Sequence, residues 1–149
     1  MFTIQNYEIH PDLFYDPQEH FWLKIAGNRA RVGYDPLVQE SMGAFVVVQP
    51  EDVGTLLNKG ESFGTIEAEK YVGPLCTSVS GKIVAVNEQV VENPRLANTD
   101  PYGKGWFIEI AMSDFVKERE SLLTGKESLQ DWFENEIKKY QDKGWLAEH

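Results

Sequence analysis

Apolar and polar positions follow two different periods along this chain, and the change falls near Ile110. Ahead of it the spacing is that of short strands. Ala30 and Val32 alternate with Arg29 and Arg31 before Gly33, which predicts a half-buried strand. Asp35-Pro36 then supplies an N-cap with proline at the first helical position, and Gly43 closes a short helix over residues 37–42. Residues 44–48, Ala-Phe-Val-Val-Val, form a nearly continuous β-branched and aromatic run, which predicts a strand buried on both faces and ended by Pro50. Beyond Val53, Gly54, Gly60, Gly64, Gly73 and Gly81 divide the apolar segments into pieces of strand length. Residues 63–68 and 82–87 read as strands on either side of a central hairpin around Lys70, and Trp106, Ile108 and Ile110 alternate in a last strand. Asn93-Pro94 repeats the cap-then-proline signal and introduces a short helical turn before the Asp100-Pro101-Tyr102-Gly103 turn.

After Ile110 the period becomes helical. Phe115, Val116, Leu122 and Leu123 are placed for one helix, and Leu129, Trp132, Phe133, Ile137 and Tyr140 for another, with Gly125 between them. The second stripe is aromatic-rich and is expected to pack on the outside of the sheets, the other reading being a face for a partner. Residues 13–22, also rich in aromatics, should pack on the sheet as well. The expected organisation is one domain over 1–149, with a core at about 20–112 and a helical extension at about 113–143.

Composition narrows the function classes. Apolar residues make up 42% of the chain and aromatics 12%, which is globular rather than disordered. A net charge of −10, with no basic cluster, opposes binding to nucleic acid or to an anionic membrane and is a device for solubility or for steering toward basic partners. No apolar run suits a bilayer and Met1 to Gln5 does not resemble a secretory signal, so a soluble, cytoplasmic protein is expected. The single cysteine, Cys76, excludes an internal disulfide, and His10, His20 and His149 lack metal-ligand spacing. Cys76 reads as a small buried hydrophobe rather than a redox partner, and His20 as an imidazole held by a backbone group.

The candidate chemistry sits at Glu67-Ala68-Glu69-Lys70-Tyr71. A lysine at the tip of a hairpin offers a primary amine where a modifying enzyme and several partners can each reach it, which is what attachment of a long carrier arm requires. From His20 to Ile110 the chain resembles the H-protein family of the glycine cleavage system. The likeness is carried by Gly33 through Gly43, Val53-Gly54, Lys59-Gly60-Glu61-Ser62-Phe63-Gly64, Glu67-Ala68-Glu69-Lys70, Val79-Ser80-Gly81, Asn87-Glu88, Asn93-Pro94, Asp100-Pro101-Tyr102-Gly103 and Gly105-Trp106, in that order. The resemblance implies a mainly β fold of the lipoyl-carrier, hammerhead type: a flattened barrel or sandwich hybrid with short helices, and with C-terminal helices packed outside. It also implies a carrier rather than an enzyme, with lipoate attached through an amide to Lys70, Glu67 read by the lipoylating enzyme, and Glu69 and Tyr71 beside the cofactor.

Two positions depart from the family pattern. Members usually carry His-Glu-Trp near the first strand and an aspartate four residues after the lipoyl lysine, where this chain has His20-Phe21-Trp22 and Pro74. The loss of both carboxylates disfavours a cationic aminomethyl cargo. Tyr71-Val72-Gly73-Pro74 resembles instead the H-like lipoate-binding proteins of a heterodisulfide-reductase-like sulfur-oxidation system. The first expectation is therefore a sulfur-carrying arm, contacted by His20 and Phe21 and serving that complex together with dihydrolipoamide dehydrogenase. The alternative is a glycine-cleavage carrier serving glycine dehydrogenase and aminomethyltransferase. A lipoate relay and an unmodified scaffold are further alternatives.

Overall fold

The computed structural model describes residues 1–146; His149 lies outside the described residues. The chain opens with a hairpin of β1 (Phe2–Ile4) and β2 (Tyr7–Ile9), followed by β3 (Phe14–Tyr15), β4 (Phe21–Ala26), β5 (Arg29–Tyr34) and the helix α1 (Pro36–Met42). Five strands follow: β6 (Phe45–Pro50), β7 (Leu56–Leu57), β8 (Ser62–Ala68), β9 (Tyr71–Cys76) and β10 (Gly81–Val86). Then come α2 (Glu88–Glu92), α3 (Leu96–Thr99), β11 (Ile108–Met112), α4 (Phe115–Glu118), a 3-10 turn at Arg119–Ser121 and α5 (Lys126–Asp142). The architecture is mainly β, as expected. A six-stranded antiparallel sheet in the order β3-β4-β5-β11-β10-β7 faces a three-stranded sheet in the order β6-β8-β9.

Strand periodicity sends alternate residues of β4 and β5 to opposite faces of the large sheet. Phe21, Leu23, Ala30, Val32 and Tyr34 enter the core between the sheets, with Phe63, Ile66 and Leu75 from the small sheet and Ile83, Ile108 and Ile110 from the far strands. Trp22 points the other way, into a second cluster in which Leu129, Phe133, Ile137 and Tyr140 of α5 pack with Tyr15, Leu37 and the β1–β2 hairpin residues Ile4, Tyr7 and Ile9. The aromatic stripe of α5 therefore packs on the outside of the sheet.

Gly33 faces Trp22 across the β4–β5 ladder, and a Cβ there would sit 2.6 Å from the indole Cζ2. That indole is fixed by its N–H donating to the Pro101 carbonyl at 3.0 Å. We expect Gly33→Val to force Trp22 from its site and to destabilise the protein by about 2–4 kcal/mol, combining overpacking with a lost buried hydrogen bond. Chemical denaturation monitored by tryptophan fluorescence measures it, and a midpoint equal to wild type would show that this contact yields freely.

Several sequence expectations are corrected. The 44–48 run is not buried on both faces: β6 is an edge strand of the small sheet, and Val46 is 63% exposed. The return strand of the Lys70 hairpin is β9, whereas β10 belongs to the opposite sheet. Asn93 ends α2, and the side-chain cap in this region is Asn87, whose carbonyl oxygen accepts from the Gln89 N–H. Trp106 lies before β11 with the Arg31 guanidinium 4.4 Å over its ring, and Leu122 and Leu123 lie beyond the short α4 and its 3-10 turn, on extended backbone that bridges to Tyr15.

Candidate functional site

Strands β8 and β9 pair with Glu67 opposite Val72 and Ala68 opposite Tyr71, leaving Glu69 and Lys70 as the loop. Neither loop residue has a positive φ, so the tip is not one of the primed turns that usually close two-residue hairpins. It is held from outside instead. The Lys70 N–H donates to the Met42 carbonyl at 3.0 Å and the Glu69 N–H to the Ala44 carbonyl at 3.1 Å, while the Glu69 carboxylate accepts from the Ala44 N–H at 2.7 Å. Asp35 begins the element responsible, capping α1 by accepting from the Leu37 and Val38 N–H groups at 3.0 and 2.9 Å. The cap fixes α1, and the end of α1 fixes the tip.

Lys70 is exposed there, and among the described residues no hydrogen bond or ion pair engages its ammonium. Glu67 is exposed on β8 and Tyr71 is 39% exposed at the start of β9. A cavity of about 540 Å³ opens beside the lysine, lined by Val38, Ser41 and Met42 of α1, by Lys70 and Tyr71, and by Tyr140, Gly144 and Trp145 from the end of α5. This lining was not read from the sequence, although Gly144 just past the last periodic residue is a helix-stop signal.

The two residues expected to contact an arm are interior. Phe21 is fully buried in the inter-sheet core, stacked on Tyr34 with ring centroids 4.8 Å apart. The register of β4 puts that position inside the sandwich, so an aromatic there completes the core. His20 is 1% exposed, and carboxylates rather than a backbone group hold its ring: Nδ1 lies 2.6 Å from Asp35 and Nε2 lies 2.8 Å from Glu136 of α5. Burial alone would lower the imidazole pKa, but the two carboxylates outweigh it and raise it to about 9. The hydrogen bond from His20 is the main cause holding the Glu136 carboxyl below the ordinary carboxylate range. Cys76 is half-buried in β9, where burial and then the nearby Glu19 push its thiol upward, away from a reactive thiolate. Pro74 pairs with Thr65 and is exposed. Among the described residues no cluster of His, Cys, Asp and Glu could hold a metal ion, and no helix is long and apolar enough to cross a membrane.

A lysine amine displayed at a braced hairpin tip, on a mainly β scaffold, is an arrangement suited to holding a carrier group. A family model described as the glycine cleavage H-protein matches residues 13–136, and the chain belongs to that family, whose members are carriers rather than catalysts and bear covalently attached lipoate. The H protein of Carboxydothermus hydrogenoformans is 44% identical over 103 residues, covering 69% of this chain and 78% of that protein. The Mycolicibacterium vanbaalenii H protein is 42% identical over 125 residues, covering 83% and 91%. The solved H-protein structure from Mycobacterium marinum superposes with a TM-score of 0.69 at 34% identity, covering 83% of this chain and 98% of that one. These relatives carry the glycine-cleavage description, so the sulfur-oxidation expectation drawn from residues 71–74 gains no support and the alternative fits better.

Proposed function

We propose that this chain is the lipoyl-bearing carrier of a glycine cleavage system, with lipoate amide-linked to Lys70, conveying an aminomethyl group among its partner enzymes. The observation that carries the proposal is the free ammonium of Lys70, exposed on a tip braced by Met42 and Ala44, within a chain whose relatives are glycine cleavage H proteins. The partners are a lipoylating enzyme, glycine dehydrogenase, aminomethyltransferase and dihydrolipoamide dehydrogenase.

The residues at the tip fit the group. Lys70 supplies the amine for the amide. Glu67, on the same hairpin and exposed, is the residue the lipoylating enzyme reads; Glu69 spends its carboxylate on the Ala44 N–H and keeps the lysine's backbone in place. Tyr71 borders the base of the attached group from the groove side. When bound, the lipoyl dithiolane supplies a disulfide that can be opened and can hold a substrate fragment on one sulfur. The protein contributes reach, because a tether converts each transfer between partner sites into a search at high local concentration. The described residues act as one unit, since α5 is joined to β4 and α1 through the His20–Asp35–Glu136 contacts.

The test is loading. Full-length protein, lipoylated on Lys70 and verified by intact mass, is mixed with glycine and a glycine-decarboxylating dehydrogenase, and a further mass increment corresponding to methylamine is expected. Lipoylated protein that stays unloaded while a known H protein loads in the same mixture would sink the glycine-cleavage assignment. A chain from its native host that carries no lipoyl mass, despite active lipoylation there, would favour the unmodified scaffold.

A further inference from the structure

We propose that the open half of the large sheet's outer face is a docking site for an acidic segment of a partner protein, seated on Lys24, Arg29, Arg31 and Lys82. The layer formed by α5 and the β1–β2 hairpin covers the end of this face that carries Trp22. Beyond Trp22 the outward positions of β4 and β5 are Lys24, Ala26, Arg29 and Arg31, all partly or fully exposed. The register continues across the sheet, with Arg31 opposite Glu109, Arg29 opposite Ala111, and Ala111 in turn opposite Lys82. A concavity of about 260 Å³ is lined by Lys24, Ala26, Arg29, Arg31 and Glu109.

An antiparallel sheet commonly leaves one face to water, so bareness alone is ordinary. The sign of the charge is not ordinary on a chain whose net charge is −10. The four cations are scattered in sequence, and only strand register gathers them into the basic cluster that the linear chain lacks. Lys24 stands directly opposite Arg31, a like-charge pairing of the kind that destabilises a sheet. Glu109 answers Arg31, whereas among the described residues Lys24, Arg29 and Lys82 have no ion-pair partner. A local rule broken at the expense of the fold marks a surface kept for a ligand. Arg31 is pre-set for an anion: its Nε and Nη2 donate to Glu109 Oε1 at 3.0 and 2.7 Å, and its guanidinium lies 4.4 Å over the Trp106 ring. Those contacts fix the guanidinium plane and leave the Nη1 N–H groups for a further acceptor.

Charge complementarity selects the occupant. The cations reach from β4 to β10, about 14 Å at roughly 4.8 Å between neighbouring strands, which is the length of about four or five extended residues. Ala26 and Ala111 keep the floor low between them, so an extended segment bearing a few Asp or Glu residues can lie across it. A second copy of this chain would bring the same net charge of −10, and a nucleic acid needs more phosphate contacts than these cations offer to outweigh that repulsion. At their other end β4 and β5 lead through Phe21 and Tyr34 to Asp35 and α1, which braces the Lys70 tip. A partner held at the Ala26–Arg29 end therefore leaves Lys70 free, and the site stands whether or not that lysine is lipoylated.

In the experiment, full-length protein is titrated into a fluorescein-labelled hexaglutamate peptide and anisotropy is read at about 50 mM salt, where screening is weak. Binding is expected, and it should weaken as salt rises. Lys24→Glu and Arg29→Glu should each weaken it at least about fivefold, while Lys138→Glu, the same change of charge at an exposed position of α5, should alter it less than about twofold. Lys24→Glu should also raise the thermal midpoint by about 1–3 °C, because it turns the like-charge pair with Arg31 into an opposite-charge one, so its loss of binding is not a loss of fold. Absence of hexaglutamate binding, or an equal loss from Lys24→Glu and Lys138→Glu, overturns the site. A labelled hexathymidylate that binds as tightly and with the same sensitivity to Arg29→Glu would assign the face to phosphate backbones. A dimer in sedimentation that Arg29→Glu dissolves would assign it to a second copy, and either result overturns an acidic protein segment as the occupant.

Discussion

Arginine in place of Lys70 should abolish lipoylation altogether and leave the fold unchanged. A guanidinium keeps the positive charge at the tip, so long-range electrostatics are preserved. It is planar, delocalised and always protonated, and it does not offer the deprotonated primary amine that an amide bond to lipoate needs. Because the Lys70 side chain makes no hydrogen bond or ion pair among the described residues, while its backbone N–H keeps the bond to Met42, stability should stay within about 0.5 kcal/mol of wild type. Intact mass after co-expression with a lipoylating enzyme reads the first part, and thermal unfolding reads the second. A lipoyl increment on Lys70→Arg would place the attachment elsewhere and remove the basis of the carrier reading.

The second large effect concerns the buried contact that holds α5. His20 donates toward Asp35 and Glu136 at once, so its ring is held as an imidazolium with a pKa of about 9, above the ordinary value near 6.5. A histidine raised in the folded state contributes stability that is fully present below its unfolded pKa and is lost as pH rises through the folded one. This contribution is therefore complete below about pH 6.5 and fades toward pH 9, with an amplitude of about 3 kcal/mol at 1.36 kcal/mol per unit. Glu136 works in the opposite direction at the acid end: its depressed pKa adds stability above the unfolded carboxylate value, and that part is lost as pH falls through the folded one.

His20→Ala removes the cation between two carboxylates, one of them fully buried, and should cost about 3–5 kcal/mol at pH 6. The variant should also lose the decline in stability between pH 6.5 and 9. Equilibrium denaturation across that range measures both, and Trp132, whose ring centroid lies 5.0 Å from that of His20, is a local reporter. A wild-type stability that stays level from pH 6.5 to 9 would show that the ring is neutral when folded. The groove depends on the same contact, because α5 carries Tyr140 and the turn that presents Trp145.

What the sequence determined by itself was local. The Asp35-Pro36 start and Gly43 stop of α1, the alternation of β5 and the aromatic stripe of α5 follow from capping geometry and residue period, which neighbouring residues set alone, and the lysine after Glu67 and Glu69 is read directly. The tertiary structure decided whatever required knowing what lies across from a residue. The apolar run of β6 could not announce that only one of its faces meets the core: Phe45 and Val48 are buried, whereas Val46, at the register shift between Phe45 and Val47, is 63% exposed. Phe21 looked like a missing carboxylate at a site until the pleat of β4 turned it into the core, and His20 looked backbone-held until α5 brought Glu136 to it across 116 residues. The groove has the same origin: Met42 and Trp145 are far apart in the chain, and only the packing of α5 against the large sheet places both beside Lys70. Period and capping act over a few residues, whereas burial, charge pairing and cavities are sums over segments that meet only in the folded chain.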